Sequence, residues 1–323
     1  MELRRLRLLA ELSRRGTIAA VAHALAYSPS SVSVQLAELE REAGTPLLRR
    51  VGRTVALTSA GWRLVEHAER ALAADESVRA DLATLADEPS GRLVMSFVQT
   101  AALALLPTAL ATLAATAPRL RVELTHLETA PALDELRSRS VDLVVGIDYD
   151  PVPPPSHPDV HRADLLREDV LLAVPTRGRF RARAAVSIGE LRDSVWAAGA
   201  RGGGHHAVVE YLCNRVGGYS PDIRHRTDDA LILRALVSSG QAVTLLPALI
   251  GTATPHVRIR PIAEAHLQRT VFTATRMGLR SAPAVLAVRA ALADAARDAC
   301  AGRDDVHTLE PREGAVSVHG GGM

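Results

Sequence analysis

Residues 17–48 read TIAAVAHALAYSPSSVSVQLAELEREAGTPLL, and two helix starts are written into them. Thr17 stands before Ile18, Val21, Ala22 and Leu25, apolar positions at helical spacing behind a residue suited to an N-cap. Ser28 stands before Pro29, whose missing N–H costs little at a first helical position. Val32, Leu36 and Leu39 then repeat along one face, and Gly44 with Pro46 ends the run. Only Ala26 and Tyr27 separate the two segments, so the helices must cross steeply, as in a helix-turn-helix.

The neighbours extend this motif in both directions. Upstream, Glu2–Arg14 predicts a helix with Leu6, Leu9 and Leu12 on one face, stopped by Gly16. Downstream, residues 47–57 form two extended stretches turning about Gly52-Arg53, a β-wing carrying Arg49, Arg50, Arg53 and Thr54. Thr58 then caps a long helix reaching about Leu85. Its apolar stripe is Val65, Ala68, Leu72, Val78, Leu82 and Leu85, broken near Asp75. A stripe that long with no domain around it needs a partner helix, so residues 59–88 read as a dimerising linker.

Charge follows the same divisions. The 323 residues sum to only +2, a poor start for a nucleic-acid binder. By segment, residues 1–58 hold nine arginines against five acids (+4), and 59–90 hold three against seven (−4). The remainder holds 26 against 24 (+2), so the one strongly basic short segment is the helix-turn-helix. All 38 basic residues are arginine, which reads as a codon-biased genome. Hydrophobic residues at 47% can fill substantial cores, and aromatics at 3% argue against base-stacking platforms. Cys213 and Cys300 stand far apart with no CxxC spacing, giving neither a disulfide framework nor a cysteine zinc site. The opening Arg/Leu alternation lacks a signal-peptide core, and no charge-free apolar run of 18 residues is expected. A cytoplasmic protein without a membrane span is the expectation.

From Arg92 onward strands and helices alternate, implying parallel sheet covered by helices. Strands are expected at 93–98, 121–127, 143–147, 170–174, 195–197, 243–246 and 270–274. Helices are expected at 103–115, 132–139, 206–216, 229–239 and 282–298. Residues 151–158 form a Pro-rich loop, and the polar tail from Arg303 reads as disordered.

Residues 1–88 resemble the winged helix-turn-helix and linker helix of LysR-type transcriptional regulators. The resemblance rests on Leu3 to Leu9, Gly16-Thr17-Ile18, Ala22, Leu25, Ser28, Val32-Ser33 and Gln35-Leu36. It continues through Leu39-Glu40, Gly44, Pro46-Leu47-Leu48, Arg53, Leu57-Thr58 and Ala60-Gly61. It implies a mixed fold: an α-dominated winged helix-turn-helix with a long linker helix, then an α/β effector domain of two Rossmann-like subdomains joined by two crossovers. The expected divisions are 1–58, 59–88 and 91–302, with subdomain I at 91–163 and 267–302, subdomain II at 164–266, and 303–323 as tail. Implied partners are double-stranded DNA, further copies of the chain as a homodimer or homotetramer, RNA polymerase, and a small-molecule effector of unknown identity. Neither a cofactor, a metal nor catalysis is implied.

Physical reasoning nominates the contacts. With Val32, Leu36 and Leu39 buried, Ser30, Ser31, Val34 and Gln35 face outward from the second helix toward major-groove base edges. Ser28 and the helix N-terminus can hold a phosphate, and the wing arginines suit phosphates or a minor groove. The competing reading makes these ordinary exposed polar groups. Relatives commonly carry Gln where this chain has Pro29 and often Arg where it has Val34, so base contacts do not transfer and the wing carries more of the affinity. For the effector, strand ends and helix starts nominate Gln99, Thr100, Thr129, Arg201 and Gly202, a set suited to a carboxylated small molecule. The bland alternative makes Thr100 an N-cap and Arg201 a surface charge.

Other chemistries have weaker support. Gly202-Gly203-Gly204 lacks the Lys-Ser/Thr of a phosphate loop, and His205-His206 is followed only by Glu210 at helical spacing. No GxSxG occurs to start a hydrolase triad. The runner-up is a cytoplasmic small-molecule-binding protein or enzyme with an N-terminal interaction module. A DNA-bending structural protein would need a uniformly basic chain.

Overall fold

The computed structural model describes residues 1–52, 54–85, 88–152, 157–180, 183–251 and 253–309. Helix α1 (Leu3–Arg15) buries Leu6, Leu8, Leu9 and Leu12 and stops at Gly16, whose φ of 74° is readily adopted by glycine. Helix α2 (Ile18–Ala24) is capped by Thr17, whose hydroxyl accepts from the Ala20 N–H at 3.1 Å. Helix α3 (Pro29–Ala43) is capped by Ser28 and buries Val32, Leu36 and Leu39. Strands β1 (Leu48–Val51) and β2 (Thr54–Leu57) form the antiparallel wing. Glu40 on α3 ties the wing down by accepting from the N–H groups of Leu47 and Leu48 at 2.8 and 2.9 Å.

The long helix α4 (Ser59–Ala83) splits its apolar stripe between two environments. Val65, Ala68 and Leu72 complete the core of the helical head, whereas Val78 and Leu82 are 57 and 62% exposed, and Leu85, expected inside the helix, lies past its end and is 81% exposed.

Beyond it, β3 (Gly91–Phe97) is flanked by β4 (Leu120–His126) and β5 (Leu143–Tyr149), all parallel as expected. The crossovers are α5 (Gln99–Thr116) and α6 (Thr129–Arg137). The strand expected at 170–174 is the end of a 16-residue strand, β6 (Val160–Pro175). Its first part pairs antiparallel with β11 (Leu267–Arg276), which also pairs with β5. Its last residues pair with β9 (Thr244–Pro247) and β10 (Val257–Arg260). Nearby lie the parallel strands β7 (Val195–Ala198) and β8 (Asp222–Arg226), with helices α7 (Gly204–Tyr211) and α8 (Ala230–Ser238). Helix α9 (Pro283–Cys300) packs on α5, and the two α/β halves have separate cores.

Several expectations need correction. Residues 93–118 carry no charge, so a charge-free run longer than 18 residues exists after all. Within it α5 is long and apolar enough to cross a membrane by length and composition. Its Ala101, Leu105, Ala109 and Leu113 are instead buried in the core shared with α9. Helix α5 begins at Gln99 rather than 103, and α7 ends at Tyr211, passing into a π turn over Leu212–Val216. The tail expected to be disordered from Arg303 supplies β12 (Val306–Thr308), paired to β6, with Val306 only 1% exposed. Residues 310–323 lie outside the described residues. Strands β8 and β10 were not expected, because each is short and carries two arginines, which makes it look like a polar loop.

Candidate functional site

The head presents a small polar ridge. Ser28 Oγ accepts from the Ser31 N–H at 3.1 Å and lies 3.0 Å from Ser30 Oγ, so the cap and the first turn of α3 are held together. Ser30 and Val34 are exposed, the latter by 58%, and Ser31 is half-buried. Gln35 is half-buried too, and its Oε1 accepts from Arg5 Nε at 3.1 Å. Reading adenine with both amide atoms would require Arg5 to let go. Arg49, Arg50 and Thr54 are exposed on the wing, and Thr54 Oγ1 donates to the Val51 carbonyl at 3.0 Å. Arg53 lies outside the described residues. Leu48 is half-buried while Arg49 and Arg50 are both exposed, and neither arginine forms an ion pair among the described residues.

A second site lies between the α/β halves. A cavity of about 560 Å³ is lined by Gln99, Thr100, Glu128, Thr129, Arg201, Gly202, Asp228 and Arg269, among others. All five residues nominated for an effector therefore converge on one cavity, but their side chains are not equally free. Gln99 Oε1 accepts from the Ala230 N–H at 2.8 Å, a bond from one half to the start of α8 in the other. Thr100 is buried, and its hydroxyl accepts from Arg269 Nη2 at 2.8 Å. Thr129 Oγ1 is taken up by both backbone groups of Ile147, at 3.1 and 3.0 Å. Arg201 is exposed at the rim, and Gly202 turns the loop with a φ of 82°. At Gly199 a Cβ would meet Asp228 Oδ1 at 2.5 Å, so the glycine lets that carboxylate close onto the Ala200 N–H at 3.0 Å.

Sequence reasoning missed the charged groups behind these residues. Arg269 on β11 is 1% exposed and pairs at 2.7 Å with Glu168 on β6, itself fully buried. Burial pulls the Arg269 guanidinium down, but the charge of Glu168 holds it above its ordinary value. Burial, helped by the charge of Asp228, raises the pKa of Glu128. His205 Nδ1 accepts from the Gly199 N–H at 3.0 Å, and Nε2 then donates to the Leu245 carbonyl at 3.0 Å. Burial lowers its pKa, which keeps the ring neutral. An arginine directly before the Thr270–Ala274 run of β11 was the available signal for Arg269.

Elsewhere, His206 Nε2 lies 3.3 Å from Glu210, a pair rather than a ligand set. Among the described residues no group of three His, Cys, Asp or Glu could hold a metal ion. Cys213 is buried in a core, its thiol pushed up to about 11 by desolvation.

Comparison with known proteins bears on both sites. Residues 3–62 match the model of the bacterial regulatory helix-turn-helix protein, lysR family, and residues 86–297 match the LysR substrate binding domain. The chain is 27% identical over 273 residues to the transcriptional dual regulator GltC of Bacillus subtilis, covering 84% of this chain and 89% of that one. It is 27% identical over 271 residues to the Hca operon transcriptional activator HcaR of Escherichia coli, covering 81% and 88%. A full-length OxyR from Pseudomonas aeruginosa shares the fold with a TM-score of 0.62 at 23% identity, covering 91% of this chain and 94% of that one. A winged helix-turn-helix joined through a long helix to a two-part α/β ligand domain, matched by both family models, places this chain in the LysR family of DNA-binding transcriptional regulators.

Proposed function

We propose that the chain acts as a homo-oligomeric regulator, cytoplasmic and without catalytic activity, divided at 1–58, 59–88 and 91–302. In this reading α3 enters the major groove through Ser28, Ser30, Ser31, Val34 and Gln35. Arg49, Arg50, Arg53 and Thr54 of the wing hold phosphates or the minor groove. The exposed half of α4 pairs with a second copy, as a homodimer or a homotetramer built from it, and the assembled complex contacts RNA polymerase. A small molecule between the α/β halves biases the assembly between two DNA-bound arrangements through its differential affinity for them.

The observation that carries this reading is the cavity of about 560 Å³, whose walls come from both halves and are bridged by Gln99. A ligand there touches both halves at once, so binding and closure are one event. The same walls argue against an enzyme. The Thr100 and Thr129 hydroxyls are engaged, and His205 is held neutral between two backbone groups, so neither a hydroxyl nucleophile nor a free imidazole base is supplied by them. The test is retention of full-length protein on a palindromic fragment from the promoter beside its own gene, followed by footprinting. Protection of two successive major grooves on one DNA face is expected. Equal retention of a scrambled fragment would overturn the reading.

A further inference from the structure

The cavity walls can be balanced charge by charge. Five ionised side chains line it among the described residues: Glu128, Asp148, Asp228, Arg201 and Arg269. Arg269 is already neutralised by Glu168 and Asp148 by Arg162, in both cases by a residue outside the lining. Three groups are left. Asp228 pairs with no cation among the described residues; its Oδ1 takes only the Ala200 N–H. Glu128 pairs with the half-exposed His126 ring at 3.6 Å and feels Arg269, whose charge Glu168 already neutralises. Arg201 at the rim is the single uncompensated positive charge among these described lining residues. Glu128 is the N-cap of α6 in one half, Asp228 lies just before the Asp229 N-cap of α8 in the other, and both carboxylates line the space that a ligand must fill. Burial first, and then the charge of Asp228, push the Glu128 carboxyl up, in keeping with both residues lining one cavity.

Groups of the opposite character lie beside Asp228, whose Oδ1 would stand 3.8 Å from a Cβ at Gly203. Helix α7 starts in the Gly202-Gly203-Gly204 loop with no side chain capping its N-terminus, and Gly203, Gly204 and His205 line the cavity. Its free first-turn N–H groups, together with Arg201, accept an anion. Helix α5 also begins at the cavity without a side-chain cap. The cavity thus combines anion-accepting groups with two carboxylates that lack a cation, and a pure carboxylate would satisfy only the first.

We infer that the effector is a small zwitterion of the amino-acid type, with its carboxylate at Arg201 and the start of α7 and its protonated amine between Glu128 and Asp228. The inference rests on the cavity being the effector site. The amine relieves the repulsion between two carboxylates on opposite halves, so it draws the halves together; a carboxylic acid without nitrogen fills the space and leaves that repulsion standing. The carboxylated effector nominated from sequence is thereby narrowed to one that also carries a cation.

The experiment is calorimetric titration and thermal shift of full-length protein with the natural α-amino acids, each beside its matched carboxylic acid lacking the amine and its matched amine lacking the carboxylate. At least one amino acid is expected to bind, with both matched partners at least tenfold weaker. Glu128→Gln with Asp228→Asn should weaken that amino acid at least tenfold while leaving the matched acid unchanged or tighter; Arg201→Gln should do the reverse, weakening the acid. Binding of acids alone, binding of amines alone, or no amino-acid binding overturns the zwitterion. Ala130→Trp, at an exposed position on the cavity lining, separates the two layers of the inference. If an amino acid binds and this variant leaves its affinity unchanged, the cavity is not the site and both readings fall. If the variant abolishes binding of acids that the wild type prefers, the cavity stands and only the zwitterion falls.

Discussion

At the scale of single residues, the most consequential pair was hidden from the sequence. Glu168 and Arg269 are 101 positions apart and almost fully buried, and Glu168 Oε2 also accepts from the Leu249 N–H at 2.7 Å. Glu168→Ala strands a buried guanidinium and should lower unfolding stability by about 3–5 kcal/mol, whereas replacing both charges with apolar residues of similar volume should recover most of it. Chemical denaturation of the single and double variants checks this. Glu128 makes a prediction of opposite sign. It faces Asp228, His126 and Arg269, and burial raises its pKa above the ordinary 4.5, so the folded protein holds that proton more tightly than the unfolded chain. Its contribution to stability is therefore full below pH 4.5 and is lost as pH rises through the folded value. Glu128→Gln should flatten the fall in melting temperature above pH 4.5 and raise it at pH 7. A variant melting curve parallel to wild type over that range would contradict the assignment.

Single elements present the surfaces proposed for partners. The wing is a hairpin of two four-residue strands whose exposed arginines point away from the core, and Glu40 fixes it to α3. Arg49→Ala with Arg50→Ala should weaken specific and random DNA alike and reduce the salt slope of binding by about one for each phosphate left without its arginine. An unchanged slope in a salt titration would remove the wing from the interface. In α4 the stripe changes owner partway. Its first turns are buried under the head, and Leu82 and Leu85 are largely exposed. Leu82→Glu with Leu85→Glu should leave the head folded and shift sedimentation toward monomer, because like charges face each other wherever two such helices pair.

For the whole molecule, the head is not loosely tethered. Arg15 on α1 donates to Glu135 and Ser138 at the end of α6, and Arg139 reaches Glu69 and Glu76 on α4. Glu76 is shared with Arg276, at the end of the strand that also carries Arg269 into the cavity. A Cβ at Gly278 would meet the Ala73 carbonyl at 2.8 Å, so that glycine permits the close approach of α4. Strand β11 thus joins the cavity wall to the helix that positions the head. Glu76→Ala should increase hydrogen exchange across residues 135–142 and weaken the effect of any bound ligand on DNA affinity; unchanged exchange there would refute the connection.

What the sequence determined alone was local. The caps Thr17, Ser28 and Thr58, the buried triad of α3, the wing and the parallel strands β3 to β5 follow from short-range spacing, since a cap and a helical repeat act within a few residues. That the five residues nominated for an effector lie at strand ends and helix starts was likewise legible, because those positions are marked by chain-neighbour chemistry, and they line one cavity. Which of them stays free was not: Thr100 and Thr129 are claimed by groups 169 and 18 positions away. Strands β8, β10 and β12 were missed because their arginines and histidines make short paired strands look like loops. The full length of β6 was missed because its first half carries alternating charges that find partners only once folded. Only the tertiary structure decided that Arg269 is neutralised and Glu128 and Asp228 are not, because charge balance in a cavity depends on strands brought together from far along the chain.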